Sequence, residues 1–115
     1  MNILRNCTKL SSNIKIYVPS TINLNEKSNN EHWINLSMKL LSKEFGGATS
    51  TKVKGSYLST SGEIIEEDIT MIISFATPEQ LKKSMKIIYD FCMSMKNCLA
   101  QESIALEKNG KLYLL

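Results

Sequence analysis

Apolar and polar residues alternate in several short stretches of the chain, which is the pattern of β-strands that bury one face. Ile14, Ile16 and Val18 alternate with other residues up to Pro19, and they predict a first strand. Residues 51–57 alternate in the same way and contain several good β-formers, so they predict a second strand. The N-terminal half therefore contributes two strands to a sheet.

A third, longer strand is predicted over residues 63–76, after a turn that ends at Gly62. Its odd-numbered positions carry most of the apolar side chains, and Glu67 falls among them. The chain closes with two short strands on either side of Asn109 and Gly110. This dipeptide predicts a hairpin, because it favours a two-residue turn that needs positive φ at both positions.

The first helix is predicted from a capping signal and from helical spacing. Ser28 and Glu31 have the spacing of a capping box, in which each side chain bonds the other residue's backbone N–H. Apolar residues then recur every three or four positions up to Phe45. Gly46 or Gly47 is predicted to end the helix, since the residue after a helix commonly takes positive φ.

The second helix has the clearest start in the chain. Thr77 is the predicted N-cap, Pro78 occupies the first helical position, and Gln80 closes a capping box. Apolar residues continue with helical spacing to about Ala100.

The order of elements is β, α, β, β, α, β, followed by a last short strand. This order predicts an α+β, ferredoxin-like split βαβ fold, with an antiparallel sheet, two helices on one face and a C-terminal β-hairpin. Residues 1–12 are predicted to be an N-terminal extension, and 13–115 a single domain.

The composition and net charge of the chain argue against several classes of partner. The net charge is only +3, and Arg5 is the only arginine among fourteen basic residues, so a nucleic-acid partner is not predicted. No apolar run has the length of a membrane span, and three cysteines, an odd number, are typical of reduced thiols. We therefore predict a cytoplasmic protein without a membrane partner. Abundant lysine, isoleucine and asparagine suggest an AT-rich genome, such as that of a low-GC bacterium or its phages and plasmids.

One candidate site is the turn between the first helix and the second strand. Its small residues expose consecutive backbone N–H groups, with hydroxyl and ammonium groups nearby, an arrangement that suits a phosphate or another anion. The alternative is a glycine helix cap that leads into a strand, because a helix C-terminus repels anions. The candidate ligand-binding residues here are Gly46, Gly47, Thr49, Ser50, Lys52 and Lys54.

Three further side chains are candidates for ligand binding. Glu67 is predicted either to be a buried carboxyl with a raised pKa, as acid–base chemistry requires, or to be turned outward by a β-bulge. Tyr17 and Tyr57 are either stacking platforms for a base or ordinary strand aromatics. No cysteine and histidine set has zinc spacing, and no dinucleotide fingerprint is present, so neither a metal nor a cofactor is predicted.

Four segments of the chain resemble an uncharacterised family of small bacterial, plasmid and phage proteins. In that family a helix ends in a glycine-containing turn before a threonine, and a strand with glycine and an aromatic residue, a turn and an acidic residue follow. Glu67 matches the acidic position, and Tyr57 stands where tryptophan is common. The resemblance implies the fold and no activity. The segments are 13–20 (NIKIYVPS), 45–49 (FGGAT), 55–57 (GSY) and 62–67 (GEIIEE).

The leading hypothesis is a non-enzymatic, homodimeric module that captures a small anionic, nucleotide-derived molecule; a phage or plasmid would use it to sequester a host signal. One alternative is a cofactor-free enzyme in which Glu67 is the general base, assisted by Tyr57 or His32. The other is a protein-binding regulator that acts through helix 78–100 or a sheet edge.

Overall fold

The computed structural model of the protein describes residues 2–22 and 26–115. It contains two helices, five strands of one sheet and two very short strands within these ranges. The elements are β1 (Ser12–Pro19), β2 (Thr21–Ile22), β3 (Glu26–Lys27), α1 (Glu31–Phe45), β4 (Thr49–Leu58), β5 (Ile64–Ala76), α2 (Pro78–Cys98), β6 (Ala105–Lys108) and β7 (Lys111–Leu114).

The five-stranded sheet is antiparallel throughout and has the order β4-β5-β1-β6-β7. Its central strand, β1, separates β5 from β6, which is the split arrangement that the order of elements predicts. The α+β, ferredoxin-like fold and the C-terminal hairpin are confirmed. The segment after Pro19 contains a second, small antiparallel pair, β2–β3.

Both helices pack on one face of the sheet. Ile14 and Ile16 of β1 and Ile72 of β5 have no exposed surface, and they share one apolar cluster with Leu41 of α1 and Ile88 of α2. Neither helix has the length and apolarity needed to cross a lipid bilayer, within the part of the chain that the structure describes.

The buried face of β5 is not the face that its apolar pattern indicates. Ile72, Ser74 and Ala76, all even-numbered, are buried under the helices, whereas the odd-numbered Ile73 is only half-buried. The odd-numbered side chains of β5 point to the opposite surface, which we call the helix-free face. Large apolar residues occur on both faces of β5 near its C-terminal end. The alternation of residue types therefore predicted the wrong face of β5 as the one that packs against the helices.

The start of α1 also differs from the prediction. Its N-cap is Asn30, in the left-handed region with φ of 47°, and the Asn30 side chain does not cap the helix. The Asn30 amide instead donates to the backbone carbonyl oxygens of Pro19 and Thr21. The predicted capping box of Ser28 and Glu31 is therefore wrong. The turn before α1 is instead held to β1 and β2 by the hydrogen bonds of the Asn30 side chain.

The other local signals are confirmed. Gly46 ends α1 with φ of 94°. At α2, the Gln80 N–H donates to Thr77 Oγ1 at 3.1 Å, and the Thr77 N–H donates to Gln80 Oε1 at 2.9 Å. The turn at Asn109 and Gly110 has φ of 51° and 80°.

Strands β4 and β5 extend beyond the end of β1. Strand β1 pairs with β5 only from Ile69 to Ala76, whereas β4 pairs with β5 down to Ile64. Residues 54–58 and 64–68 thus form a two-stranded ribbon, and within the described residues no third strand lies beside it. The base of this ribbon is where the polar residues of the candidate site meet.

Candidate functional site

Two clefts lie on opposite sides of the sheet where the ribbon begins. The helix-side cleft, of about 640 Å³, lies between residues 52, 54 and 66–70, the start of α1, and the connecting segments 19–21 and 27–29. The helix-free cleft, of about 400 Å³, lies between Tyr17, Tyr57, Leu114 and the loop 101–105. Pro19, Glu67 and Ile69 line both clefts.

Five of the residues predicted from the sequence meet at these clefts. Lys52 and Lys54 line the helix-side cleft, Tyr17 and Tyr57 line the helix-free cleft, and Glu67 lines both. These residues come from β1, β4 and β5, which are neighbours in the sheet. The strand order therefore brings together side chains that the sequence indicated only as separate candidates for ligand binding.

The glycine turn lies at the opposite end of β4 and lines neither cleft. The Gly46 N–H donates to the Ser42 carbonyl oxygen at 2.8 Å, and the Gly47 carbonyl oxygen accepts a hydrogen bond from the Ser74 hydroxyl. Thr49 and Ser50 follow as exposed residues at the start of β4. These contacts agree with the helix-cap alternative, and the anion site at this turn stays a prediction.

Glu67 is half-buried on the helix-free face, and its cross-strand partner is Gly55. The register of β4 and β5 is continuous from Thr49 to Leu58, so no bulge displaces the carboxyl. Burial raises the pKa of Glu67 above its ordinary value. A carboxyl in this state can exchange a proton closer to neutral pH than a solvated one can.

Sequence analysis missed a polar network beside the helix-free cleft. The Tyr17 hydroxyl donates to Glu107 Oε1 at 2.9 Å, and Lys15 Nζ lies 3.0 Å from Glu107 Oε2. The hydrogen bonds from Lys15 and Tyr17 lower the pKa of Glu107, whereas burial and the Glu107 carboxylate raise the pKa of Tyr17. The network fixes the Tyr17 ring at the cleft.

No short sequence pattern predicts this network, because the network depends on the pairing of β1 with β6. Lys15 lies directly opposite Glu107 in that ladder. Tyr17 and Glu107 are ninety positions apart in the chain, so only the register brings them together.

The Glu107→Gln variant is expected to be less stable than the wild type at neutral pH. The lowered pKa of Glu107 stabilises the fold above the ordinary carboxyl pKa, and this contribution is lost as pH falls through the lowered value. Urea unfolding should give a deficit of about 1–2 kcal/mol at pH 7, because the substitution removes a charged hydrogen-bond acceptor. The deficit should shrink at acidic pH, and Glu102→Gln, at an exposed position, should show none.

The charges of the helix-side cleft are mixed. Three lysines line it together with four carboxyl groups. One pair, Lys54 and Asp68, lies 3.8 Å apart and is largely exposed. The cleft therefore suits a ligand that carries both signs of charge better than a simple anion. Within the described ranges, no three histidine, cysteine, aspartate or glutamate side chains cluster in a way that would hold a metal ion.

His32, the proposed assistant in acid–base chemistry, lines neither cleft. It is exposed on α1, with its ring edge-to-face against Trp33 at a centroid distance of 5.8 Å. Tyr57, by contrast, is 55% exposed in the helix-free cleft, so its ring is free to meet a ligand.

Comparison with solved structures identifies the same architecture in other proteins. A phage SAM lyase in complex with S-methyl-5′-thioadenosine matches with a TM-score of 0.63 and 14% identity, over 94% of this chain and 91% of that chain. The fold is shared. The phage SAM lyase in its apo state matches with a TM-score of 0.60 and 14% identity, over 91% of this chain and 88% of that chain.

A variant of CutA1 from Pyrococcus horikoshii OT3 also matches, with a TM-score of 0.52 and 13% identity, over 84% of this chain and 79% of that chain. No protein-family model and no curated protein sequence matches the chain. At these identities the structural likeness shows the fold alone.

Proposed function

We propose that the protein binds a small adenosine derivative, with SAM and S-methyl-5′-thioadenosine as the first candidates, in the clefts that meet at Glu67. The observation that carries this proposal is the convergence of Tyr17, Tyr57 and Glu67 at one end of the sheet. The shared fold supports it, because a phage SAM lyase with this architecture holds S-methyl-5′-thioadenosine. A phage or plasmid origin is consistent with the same likeness.

Each part of such a ligand has matching groups in the clefts. The exposed ring of Tyr57 offers a stacking surface for a purine, and Ile69 and Leu114 supply apolar contact. SAM carries a sulfonium, an ammonium and a carboxylate group. The carboxyl groups and lysines of the helix-side cleft can satisfy both signs of charge.

A second candidate function is lyase chemistry at the same site, with Glu67 as the general base. The observation in its favour is the raised pKa of a carboxyl that lines both clefts. Release of S-methyl-5′-thioadenosine from SAM breaks one C–S bond and leaves the electron pair on sulfur. In this reaction Glu67 would take the proton from the carbon next to the broken C–S bond, and the electron pair of that C–H bond would form a C=C bond in the released four-carbon fragment.

Isothermal titration of the purified protein with SAM and with S-methyl-5′-thioadenosine tests the proposal. We expect saturable binding that Tyr57→Ala weakens about 10- to 100-fold, because base stacking contributes roughly 1–3 kcal/mol. Tyr89→Ala is the matched control, since Tyr89 is 46% exposed on α2 and lines neither cleft. Absence of binding by both compounds would overturn the proposal, and chromatography of the SAM sample would reveal any cleavage product.

We infer that a second copy of the chain covers the part of the helix-free face that lies outside the cleft. Phe75 and Leu112 are exposed there by 52% and 60%, and Met71 and Ile73 of β5 add further apolar surface. Native mass spectrometry is expected to show a homodimer. A monomer that retains a different protein partner would instead favour a protein-binding regulator.

A further inference from the structure

Gly55 occupies a position in β4 where the backbone does not require glycine. Its φ lies outside the left-handed region, so a larger residue would fit the local conformation. Glycine inside a strand weakens the strand and often marks a close approach by another group. The reason for glycine at this position must therefore lie in what surrounds the missing side chain.

Two side chains enclose the space above Gly55. A Cβ at this position would lie 3.0 Å from Cδ1 of Ile69 and 4.0 Å from Cγ of Glu67. Carbon atoms pack best at about 3.5–4.0 Å, so the first contact is too short and the second is ordinary. The end of the Ile69 side chain thus lies across β4, in the place that a side chain at position 55 would take.

Ile69 and Glu67 are also residues that line both clefts. We propose that Gly55 is a positioning residue for the ligand site: its missing side chain lets Ile69 lie across β4 beside Glu67, and this placement sets the shape of both clefts. The inference rests on the proposed function for its ligand and on the geometry of Gly55 for its mechanism.

The test is a compensation experiment. Gly55→Ala introduces the methyl group that meets Ile69, and Ile69→Val removes only the δ-methyl carbon that it would meet. Ser56→Ala is the control, because Ser56 is the next residue of β4, is exposed and lines neither cleft. The probe ligand is S-methyl-5′-thioadenosine, and methyl NMR of Ile69 in the free protein provides a readout that is independent of the ligand.

Gly55→Ala is expected to raise the dissociation constant of the probe about tenfold, as overpacking of a well-filled site does. It should also shift the Ile69 δ-methyl resonance. In the double variant Gly55→Ala and Ile69→Val, the affinity should return to within about threefold of Ile69→Val alone, which is the signature of coupled neighbours. Ser56→Ala should change neither measurement.

The inference is overturned if Gly55→Ala leaves the Ile69 resonance unchanged, or if the double variant binds as weakly as Gly55→Ala. If the wild-type protein does not bind the probe, the proposed function fails and the Ile69 resonance still decides the role of Gly55. Should Gly55→Ala fold poorly, recovery of the native circular dichroism spectrum by Ile69→Val would support the contact, and lack of recovery would refute it.

Discussion

The Glu67→Gln variant is expected to bind SAM about 10- to 100-fold more weakly than the wild type, because interactions of a charged carboxylate contribute roughly 1.5–3 kcal/mol. S-methyl-5′-thioadenosine lacks the sulfonium charge, so its affinity should fall less. Wild-type affinity for SAM should rise as pH increases through the raised pKa of Glu67, since the carboxylate is the attracting form. Titration calorimetry at several pH values measures all three effects.

The same substitution is expected to stabilise the ligand-free protein at neutral pH. Burial raises the pKa of Glu67 in the folded state, so ionisation costs stability as pH rises through the unfolded value, and the full cost is present above the folded value. Glutamine carries no charge and avoids this cost. The increase in the free energy of unfolding of the variant over the wild type, measured with urea, should therefore be larger at pH 7 than at acidic pH.

Glu63→Gln is the control for both measurements, because Glu63 is exposed and lines neither cleft. Equal losses of SAM affinity in the two variants would exclude a specific role for Glu67. If SAM is cleaved, Glu67→Gln should slow the cleavage about 100-fold or more, as removal of a general base does.

Ile16→Ala is expected to lower the free energy of unfolding by about 2–5 kcal/mol, the usual cost of truncating a buried aliphatic side chain to alanine. Ile16 is fully buried in β1, between Ile72 on one neighbouring strand and Leu106 on the other. Small domains have a total stability of roughly 5–15 kcal/mol, so this single change removes a large part of it.

Urea unfolding followed by circular dichroism measures the loss. Ile3→Ala makes the same change in the N-terminal extension, where Ile3 is 84% exposed, and should alter stability by less than about 0.5 kcal/mol. Similar values for the two variants would mean that β1 is not the centre of the core.

The sequence predicted those parts of the fold that depend on local chemistry. The Thr77 and Gln80 capping box and the turn at Asn109 and Gly110 involve residues next to one another, so their spacing is sufficient evidence. The Ser28 signal failed for the opposite reason. Asn30, which follows Ser28 by two residues, donates hydrogen bonds to the backbone carbonyl oxygens of Pro19 and Thr21. No short sequence pattern predicts such contacts.

The candidate site was predicted only in part, because its geometry depends on strand order. Tyr17, Tyr57 and Glu67 were each recognisable as unusual residues, but their meeting point required the order β4-β5-β1. The face occupied by Glu67 could not be decided from alternation, because β5 has large apolar residues on both sides near its C-terminal end, Ile72 on one side and Ile73 and Phe75 on the other. The network at Glu107 required the register of β1 with β6 as well.

The ribbon of residues 54–58 and 64–68 is expected to make the affinity for the proposed ligand depend on a local opening equilibrium. An isolated two-stranded hairpin is only marginally stable, and this one carries Tyr57 and Glu67 beyond the reach of β1. Molecules with a frayed ribbon lack a complete binding surface, so the apparent affinity falls with the fraction that is closed. Warming should therefore release the ligand before the domain unfolds, and amide hydrogen exchange should show the ribbon opening first.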